Sequence, residues 1–381
     1  MTRRSRILLI FSLLTTFNFA TAYDQNEIEG LRVYRSLTGK NLTRFDQNFA
    51  TVIELAKNQK FEDIADLATE DSGFYLNRVF NWATLIYNSD ESPYVAVNDA
   101  IVTLVGSVKD NRDARELLTG DYLYVPDPRI RPEASLRNNE GYIRLNQLHL
   151  DWHNYIKYRT PQWPIQGYEE AAGVLTTRGW AEKSYLATNR IAVKRSLQSF
   201  LCLSNDEWKT ANLPTERIRQ DVDRAPAGDP VEFQTNCRSC HSPMDGLAGA
   251  FSQMKFESNT FLRFTRVIPE YLRNSNVYPE GHVTTNDAFI NYLVSGKNHR
   301  IGWEGNPSEP IVGRGVHEYG EMLVSSNAFA KCMVKRTVNS VCGLEKLSEN
   351  RLNQLASEFR AKNYALKDLF KSVSISQVCK D

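Results

Sequence analysis

The sequence has no excess of either charge and, beyond its first residues, no apolar run long enough to cross a membrane. Its 381 residues include 46 basic and 45 acidic side chains, so the formal net charge is only +1. This balance gives no support to a surface that binds nucleic acid or an acidic membrane. A spanning helix needs about 20 apolar residues. We therefore expect no nucleic-acid partner and no membrane span in the mature chain.

The sequence also lacks internal repeats, low-complexity tracts and convincing strands. Apolar residues instead recur three and four positions apart, which is the spacing of amphipathic helices. This spacing predicts helices over residues 61–69, 75–87, 95–108, 191–203, 320–341, 347–359 and 365–373. Proline-containing breaks at 125–132 and 160–164 interrupt the pattern, and long loops are expected over 215–230 and 274–312. We predict a mainly α fold with an N-terminal helical domain over residues 23–164 and a C-terminal domain with long loops over residues 165–381.

The first 22 residues have the features of an export signal. Arg3, Arg4 and Arg6 form a basic segment, residues 7–19 are apolar, and an Ala-Thr-Ala cleavage site ends at Ala22. A membrane anchor is the alternative, but the apolar run of about 13 residues is short for one. We expect a signal peptide over residues 1–22 and a periplasmic or secreted mature protein.

Six cysteines must be explained in an oxidising compartment, where thiols pair, bind a metal or react. Cys202, Cys332, Cys342 and Cys379 form an even set that fits two disulfides. Cys332 and Cys342 lie ten positions apart on a predicted helix, a rise of about 15 Å that a disulfide cannot bridge. Each should pair with Cys202 or Cys379, unless some of the four stay reduced.

The other two cysteines belong to the motif Cys237-Arg238-Ser239-Cys240-His241. C-x-x-C-H is the pattern to which a c-type haem is attached through two thioethers, with the histidine bound to the iron. The alternatives are a redox C-x-x-C pair, which would sit near a βαβ pattern, or half of a zinc site, which would need a second ligand pair. Neither accompanying pattern is present. We predict one covalently attached haem c on Cys237 and Cys240, with His241 as an iron ligand, and the C-terminal domain is then a c-type cytochrome-like haem domain.

The sixth iron ligand decides whether the haem is closed for electron transfer or open to small molecules. Met322 is our first candidate because it begins a predicted helix about 80 residues after the motif, and His317 is the second. An open position remains the alternative. The other candidates with enough chain length from the motif are Met254, His282, His299 and Met333.

Two weaker patterns accompany the motif. His149 and His153 are four apart on a possible helix, a spacing that can hold a metal, although no H-E-x-x-H arrangement is completed and a structural role is the alternative. Arg190, Lys194 and Arg195 form a basic cluster that could neutralise haem propionates or simply form a solvated face.

Four segments together resemble a known family. Residues 115–122, 173–177, 237–245 and 326–343 are similar, in this order, to successive modules of the planctomycete-type cytochrome c proteins. The resemblance implies an extracytoplasmic haem protein and carries over Cys237, Cys240 and His241. The chain departs from the larger relatives, which have additional N-terminal modules that are missing here. Those relatives typically continue after the haem motif with Asp-Pro and an acidic helix, whereas here Met244-Asp245 is followed by Gly-Leu-Ala-Gly.

Three functions are compatible with these features. The first is electron transfer by a secreted or periplasmic mono-haem cytochrome to an unidentified redox partner protein. The second is a haem enzyme, a peroxidase or oxygenase with an open distal site, which would explain why the chain far exceeds the about 80 to 120 residues of a minimal cytochrome. The third is an envelope protein that binds a partner and in which the haem is structural.

Overall fold

The computed structural model describes residues 23–88, 95–135, 137–162, 170–210, 212–220, 230–272, 281–304 and 309–380. The predicted signal peptide lies outside these residues. The described chain is mainly helical, as predicted. Its α-helices are α1 Gln25–Thr38, α2 Phe49–Lys57, α3 Phe61–Thr69, α4 Phe80–Tyr87, α5 Asp99–Lys109, α6 Glu116–Thr119, α7 Glu140–Gln147, α8 Trp152–Tyr155, α9 Arg178–Ser184, α10 Arg190–Leu201, α11 Asn205–Trp208, α12 Pro230–Glu232, α13 Arg238–Ala248, α14 Gly315–Val324, α15 Asn327–Cys342, α16 Glu349–Ala361 and α17 Leu366–Ile375.

Short segments of other kinds complete the fold. Two π-helical turns and five 3₁₀ turns occur at Phe74–Val79, Phe233–Cys237, Gly173–Thr176, Gly249–Phe251, Pro269–Tyr271, Gly296–Ile301 and Gln377–Lys380 in the described ranges. The strands are β1 Leu123–Pro126, β2 Ile156–Arg159, β3 Met254–Glu257, β4 Thr260–Arg263, β5 Ala288–Asn291 and β6 Ile311–Arg314. They form three antiparallel pairs, with Leu123 opposite Arg159, Met254 opposite Arg263 and Ala288 opposite Arg314.

One apolar core joins the two ends of the chain. It runs from Val33 in α1 to Val378 near the C-terminus, and α15 and α17 pack against α1, α3 and α4. Helices on both sides of the predicted domain boundary therefore bury their apolar faces against each other. The boundary near residue 164 stays a prediction.

Side-chain caps explain where several helices begin. Asp24 accepts from the amide of Glu27, whose carboxylate accepts in return from the amide of Asp24. Asn98 accepts from the amide of Ile101, which starts α5 at Asp99 rather than at the predicted residue 95. Ser326 accepts from the amide of Phe329 and divides the predicted helix 320–341 into α14 and α15.

The predicted loops contain more regular structure than expected. Strand β1 includes the first two residues of the predicted break at 125–132, and β5, β6 and a 3₁₀ turn lie within or overlap the predicted loop 274–312. These strands are only four residues long, too short for a clear alternation of apolar residues. None of the helices in the described ranges combines the length and apolar character that crossing a bilayer requires.

The four cysteines outside the motif form two disulfides. Cys202 bonds to Cys332, and Cys342 bonds to Cys379. The predicted exclusion of a Cys332–Cys342 bond is confirmed, since both residues lie on α15. The alternative in which some of these four stay reduced is wrong.

Candidate haem-attachment site

The motif lies where a π-helical turn passes into α13. Cys237 is the last residue of the turn Phe233–Cys237, and Cys240 and His241 are in the first turns of α13. Pro243 follows inside the helix and has no amide hydrogen to donate to the carbonyl of Ser239, four residues earlier. The amide of Thr210 donates to that carbonyl at 3.4 Å instead. Thr210 is thereby joined to the backbone between the two cysteines.

Both motif cysteines are unpaired and half-buried. Cys237 packs against the small apolar cluster of Ile218 and Phe233, whereas Cys240 packs against the main core. Burial raises the pKa of the Cys240 thiol. A raised pKa keeps more of this thiol in its protonated form.

The imidazole of His241 is enclosed on one side. Its ring centroid lies 5.8 Å from that of Phe233, and Nδ1 lies 3.5 Å from Oδ1 of Asp245, one helical turn later. Nδ1 is buried, although 24% of the side chain is exposed. The exposed part of the ring therefore lies away from Nδ1.

Asp245 is a buried carboxylate surrounded by basic groups. Its side chain is 0% exposed, and Oδ1 accepts from Nε of Arg190 at 2.6 Å. Oδ2 accepts from the amide of Arg219 at 3.0 Å and from Nη2 of Arg190 at 3.3 Å. Burial by itself would raise the pKa of Asp245, but His241, Arg190 and Arg219 together lower this pKa well below its usual value. The two hydrogen bonds from the Arg190 guanidinium and the one from the Arg219 amide are those of an ionised carboxylate.

These contacts correct one of the sequence alternatives. Arg190 is not part of a solvated face, because it pairs with a buried carboxylate, and Arg195 is itself buried. Arg219, which the sequence analysis did not single out, is 2% exposed, stacks on Tyr271 and donates to the carbonyl of Thr188.

Two glycines allow α13 to lie close to strand β5. A Cβ at Gly249 would come within 2.1 Å of the carbonyl oxygen of Ala288, and one at Gly246 within 2.8 Å of that of Ile290. Any larger residue would force the helix and strand apart. The two glycines of the Gly-Leu-Ala-Gly sequence thus have a packing role here.

The residues of the motif fit a covalently attached haem. Two thiols free of disulfides are separated by one helical turn, and the adjacent imidazole has its Nδ1 edge buried and the rest of its ring partly exposed. Among the described residues, no three His, Cys, Asp or Glu side chains converge as a metal site. Haem attachment needs no such convergence, because the sulfurs bond to the porphyrin edge and only the histidine binds iron.

The structure gives both candidate distal ligands other partners. Met322 is 5% exposed, and its sulfur accepts a hydrogen bond from Nδ2 of Asn291 at 3.2 Å. Nδ1 of His317 lies 2.7 Å from the carbonyl oxygen of Ala171, and Nε2 lies 3.6 Å from Glu321. Met322 as an iron ligand therefore stays a prediction, and binding would require its sulfur to leave Asn291.

The remaining candidates occupy varied surroundings. Met254 and Met333 are fully buried in the core, and His299 is exposed. His282 is half-buried, with Nε2 3.3 Å from Arg217. The core positions of Met254 and Met333 suit structural roles.

The pair His149 and His153 does not share a helix. Helix α7 ends at Gln147, His149 has a left-handed backbone with φ of 49°, and His153 belongs to α8. Nε2 of His153 lies 3.6 Å from Glu70. The structural alternative for this pair agrees with these contacts.

Sequence reasoning missed Asp245 and Arg219 as parts of the site. The position of Asp245, four residues after His241, was a usable signal, since residues at this spacing lie on one helical face.

In comparisons with protein-family models, curated proteins and solved structures, no match to this chain was found.

Proposed function

We propose that this chain is an exported mono-haem c-type cytochrome that transfers electrons to a partner protein. The observation that supports it best is the division of the cysteines. Four of them form disulfides, whereas Cys237 and Cys240, the two in the C-x-x-C-H motif, remain unpaired beside His241.

Each residue of the motif has a distinct role in this proposal. Cys237 and Cys240 tether the porphyrin by thioethers, and His241 binds iron through Nε2. The haem, when bound, supplies a one-electron couple. Both sulfurs have apolar neighbours, Ile218 and Phe233 for Cys237 and the main core for Cys240. These neighbours would keep water away from the attached edge of the porphyrin.

The disulfides support export, because such bonds persist in oxidising compartments. We propose a periplasmic or secreted location, as the N-terminal sequence predicts. The family resemblance to the planctomycete-type cytochrome c proteins belongs to the same proposal, since it implies an extracytoplasmic haem protein.

One observation supports a second candidate function. Asn291 and Ala171 engage Met322 and His317, which would leave the sixth iron position open. An open position permits oxygen or peroxide chemistry, so a haem peroxidase or oxygenase is the alternative.

Covalent attachment can be tested by haem staining after denaturing electrophoresis of protein exported together with a haem-attachment system. We expect the native chain to stain and the double variant Cys237→Ala/Cys240→Ala to lose all stain. Cys342→Ala/Cys379→Ala, which removes another cysteine pair, is the control and should keep its stain. An unstained native chain, or stain in the motif double variant, would overturn the proposal.

Absorption spectra of the oxidised and reduced protein separate the two functions. Electron transfer predicts a low-spin haem, with a charge-transfer band of methionine ligation that disappears in Met322→Leu and remains in Met254→Leu. A high-spin spectrum that shifts with carbon monoxide or peroxide would favour the enzyme.

A further inference from the structure

We infer that Asp245 is a positioning residue for His241. Asp245 orients the imidazole so that Nε2 faces the haem iron, and it thereby lowers the reduction potential of the haem. This inference rests on the proposed haem function and deepens it. Asp245 does not touch the haem in this proposal but acts through the imidazole.

Helix geometry places the two side chains together. Asp245 follows His241 by four residues on α13, and Oδ1 lies 3.5 Å from Nδ1. Nδ1 is buried on this side, so the rest of the ring, which includes Nε2, faces away from the carboxylate. Nδ1 has no hydrogen-bond partner among the described residues, and Oδ1 is the acceptor placed beside it. A proton on Nδ1 that turns towards this carboxylate would leave the lone pair of Nε2 available for a metal.

The carboxylate is itself held in place. An ionised carboxylate accepts about four hydrogen bonds. Arg190 supplies two donors, and the backbone amide of Arg219 supplies a third. The remaining acceptor capacity is available to Nδ1 of His241. Because the side chain is 0% exposed, water does not compete for it.

The direction of the effect on the haem follows from charge. A histidine that donates from Nδ1 to a carboxylate becomes a stronger base and a better ligand for ferric iron. Stabilising the ferric form lowers the reduction potential. Loss of the carboxylate should therefore raise it.

The test measures the reduction potential of the haem-loaded protein. We expect Asp245→Asn to favour the ferrous form at least tenfold, which is a rise of about 59 mV for a one-electron couple. Asp245→Glu should recover part of the lower native potential. Asp71→Asn removes a carboxylate paired with Lys40 among the N-terminal helices and serves as the matched control, with no expected change.

The double variant Asp245→Asn/Arg190→Gln distinguishes action through His241 from a simple charge effect. It also removes the cation that would lose its carboxylate partner in the single variant, a loss that could unfold the protein. If Asp245 acts through His241, the raised potential persists in the double variant. If Arg190→Gln cancels the rise, or if Asp245→Asn leaves the potential unchanged, the inference is wrong.

The outcome also separates this inference from the proposed function. A native chain without covalent haem stain would refute the function itself. A stained native chain whose potential is insensitive to Asp245→Asn would refute only the positioning role.

Discussion

At the scale of the residue, the buried Asp245 and the half-buried Asp71 show how this protein holds charge away from water. Asp245 is bound by Arg190 and by the amide of Arg219. Asp71 accepts hydrogen bonds from Lys40, from the hydroxyl of Tyr34 and from the amide of Gly73. In both cases several donors compensate for the loss of water around an ionised group. Their consequences differ because only Asp245 faces a candidate iron ligand.

Asp71 gives a prediction about stability and pH. Burial by itself would raise the pKa of Asp71, but hydrogen bonds from Lys40, Gly73 and Tyr34 lower it below its usual value. A lowered pKa in the folded state stabilises the fold above the unfolded value of about 3.9, and this contribution is lost as the pH falls through the folded pKa. We expect Asp71→Asn to reduce the free energy of unfolding by about 1 kcal/mol at neutral pH, the upper range for a solvent-screened ion pair.

Urea unfolding of Asp71→Asn and the native chain at several pH values checks this. The difference between them should be constant above about pH 5 and shrink below about pH 4. A difference that grows towards acid pH would contradict the assignment. Asp63→Asn, at an exposed carboxylate 4.0 Å from Lys60, is the control and should change little at any pH.

At the scale of the element, α13 owes its position to small residues and to a proline. Gly246 and Gly249 bring it against the backbone of β5, and Pro243 frees the carbonyl of Ser239 for Thr210. Glycines also permit close backbone contacts elsewhere. Gly320 of α14 packs against the carbonyl oxygen of Leu118, and Gly173 packs against that of Leu117.

Gly249→Ala should separate α13 from β5. The new Cβ would lie 2.1 Å from the carbonyl oxygen of Ala288, so helix and strand must move apart. We expect a loss of about 1–3 kcal/mol in the free energy of unfolding. Denaturant unfolding measures it, with the exposed position Gln234→Ala as the control. A variant as stable as the native chain would show that this contact is not tight.

At the scale of the whole molecule, the two disulfides and the shared core join distant parts of the chain. Cys202–Cys332 joins the end of α10 to α15 across 130 residues, and Cys342–Cys379 joins the end of α15 to the C-terminus across 37 residues. Helices α15 and α17 also cover the N-terminal helices. The C-terminal helices thus hold the N-terminal helices and the segment after α10 together.

The two disulfides should contribute unequally to stability. Closing a longer loop restricts the unfolded chain more, so their loss should cost about 5 kcal/mol for Cys202–Cys332 and about 4 kcal/mol for Cys342–Cys379. Thermal unfolding of Cys202→Ser/Cys332→Ser and Cys342→Ser/Cys379→Ser checks the order. A greater loss in the second variant would contradict this reasoning. Each double variant controls for the other, since both remove two sulfurs.

The sequence by itself determined the features that depend on neighbouring residues. The predicted helix over residues 61–69 matches α3, because the spacing of apolar residues and the hydrogen bonds of a helix extend over only a few positions. The exclusion of a Cys332–Cys342 bond followed from the rise of one helix. The C-x-x-C-H motif was visible for the same reason.

Only the tertiary structure decided the features that join distant residues. The pairing of Cys202 with Cys332, the ion pair of Arg190 with Asp245 and the contact of Gly249 with Ala288 link positions 130, 55 and 39 residues apart. Many partners are possible at such separations, and the packing of the helices around one core selects among them. The contacts around His241 are therefore decided by the tertiary structure, whereas its position in the motif is visible in the sequence.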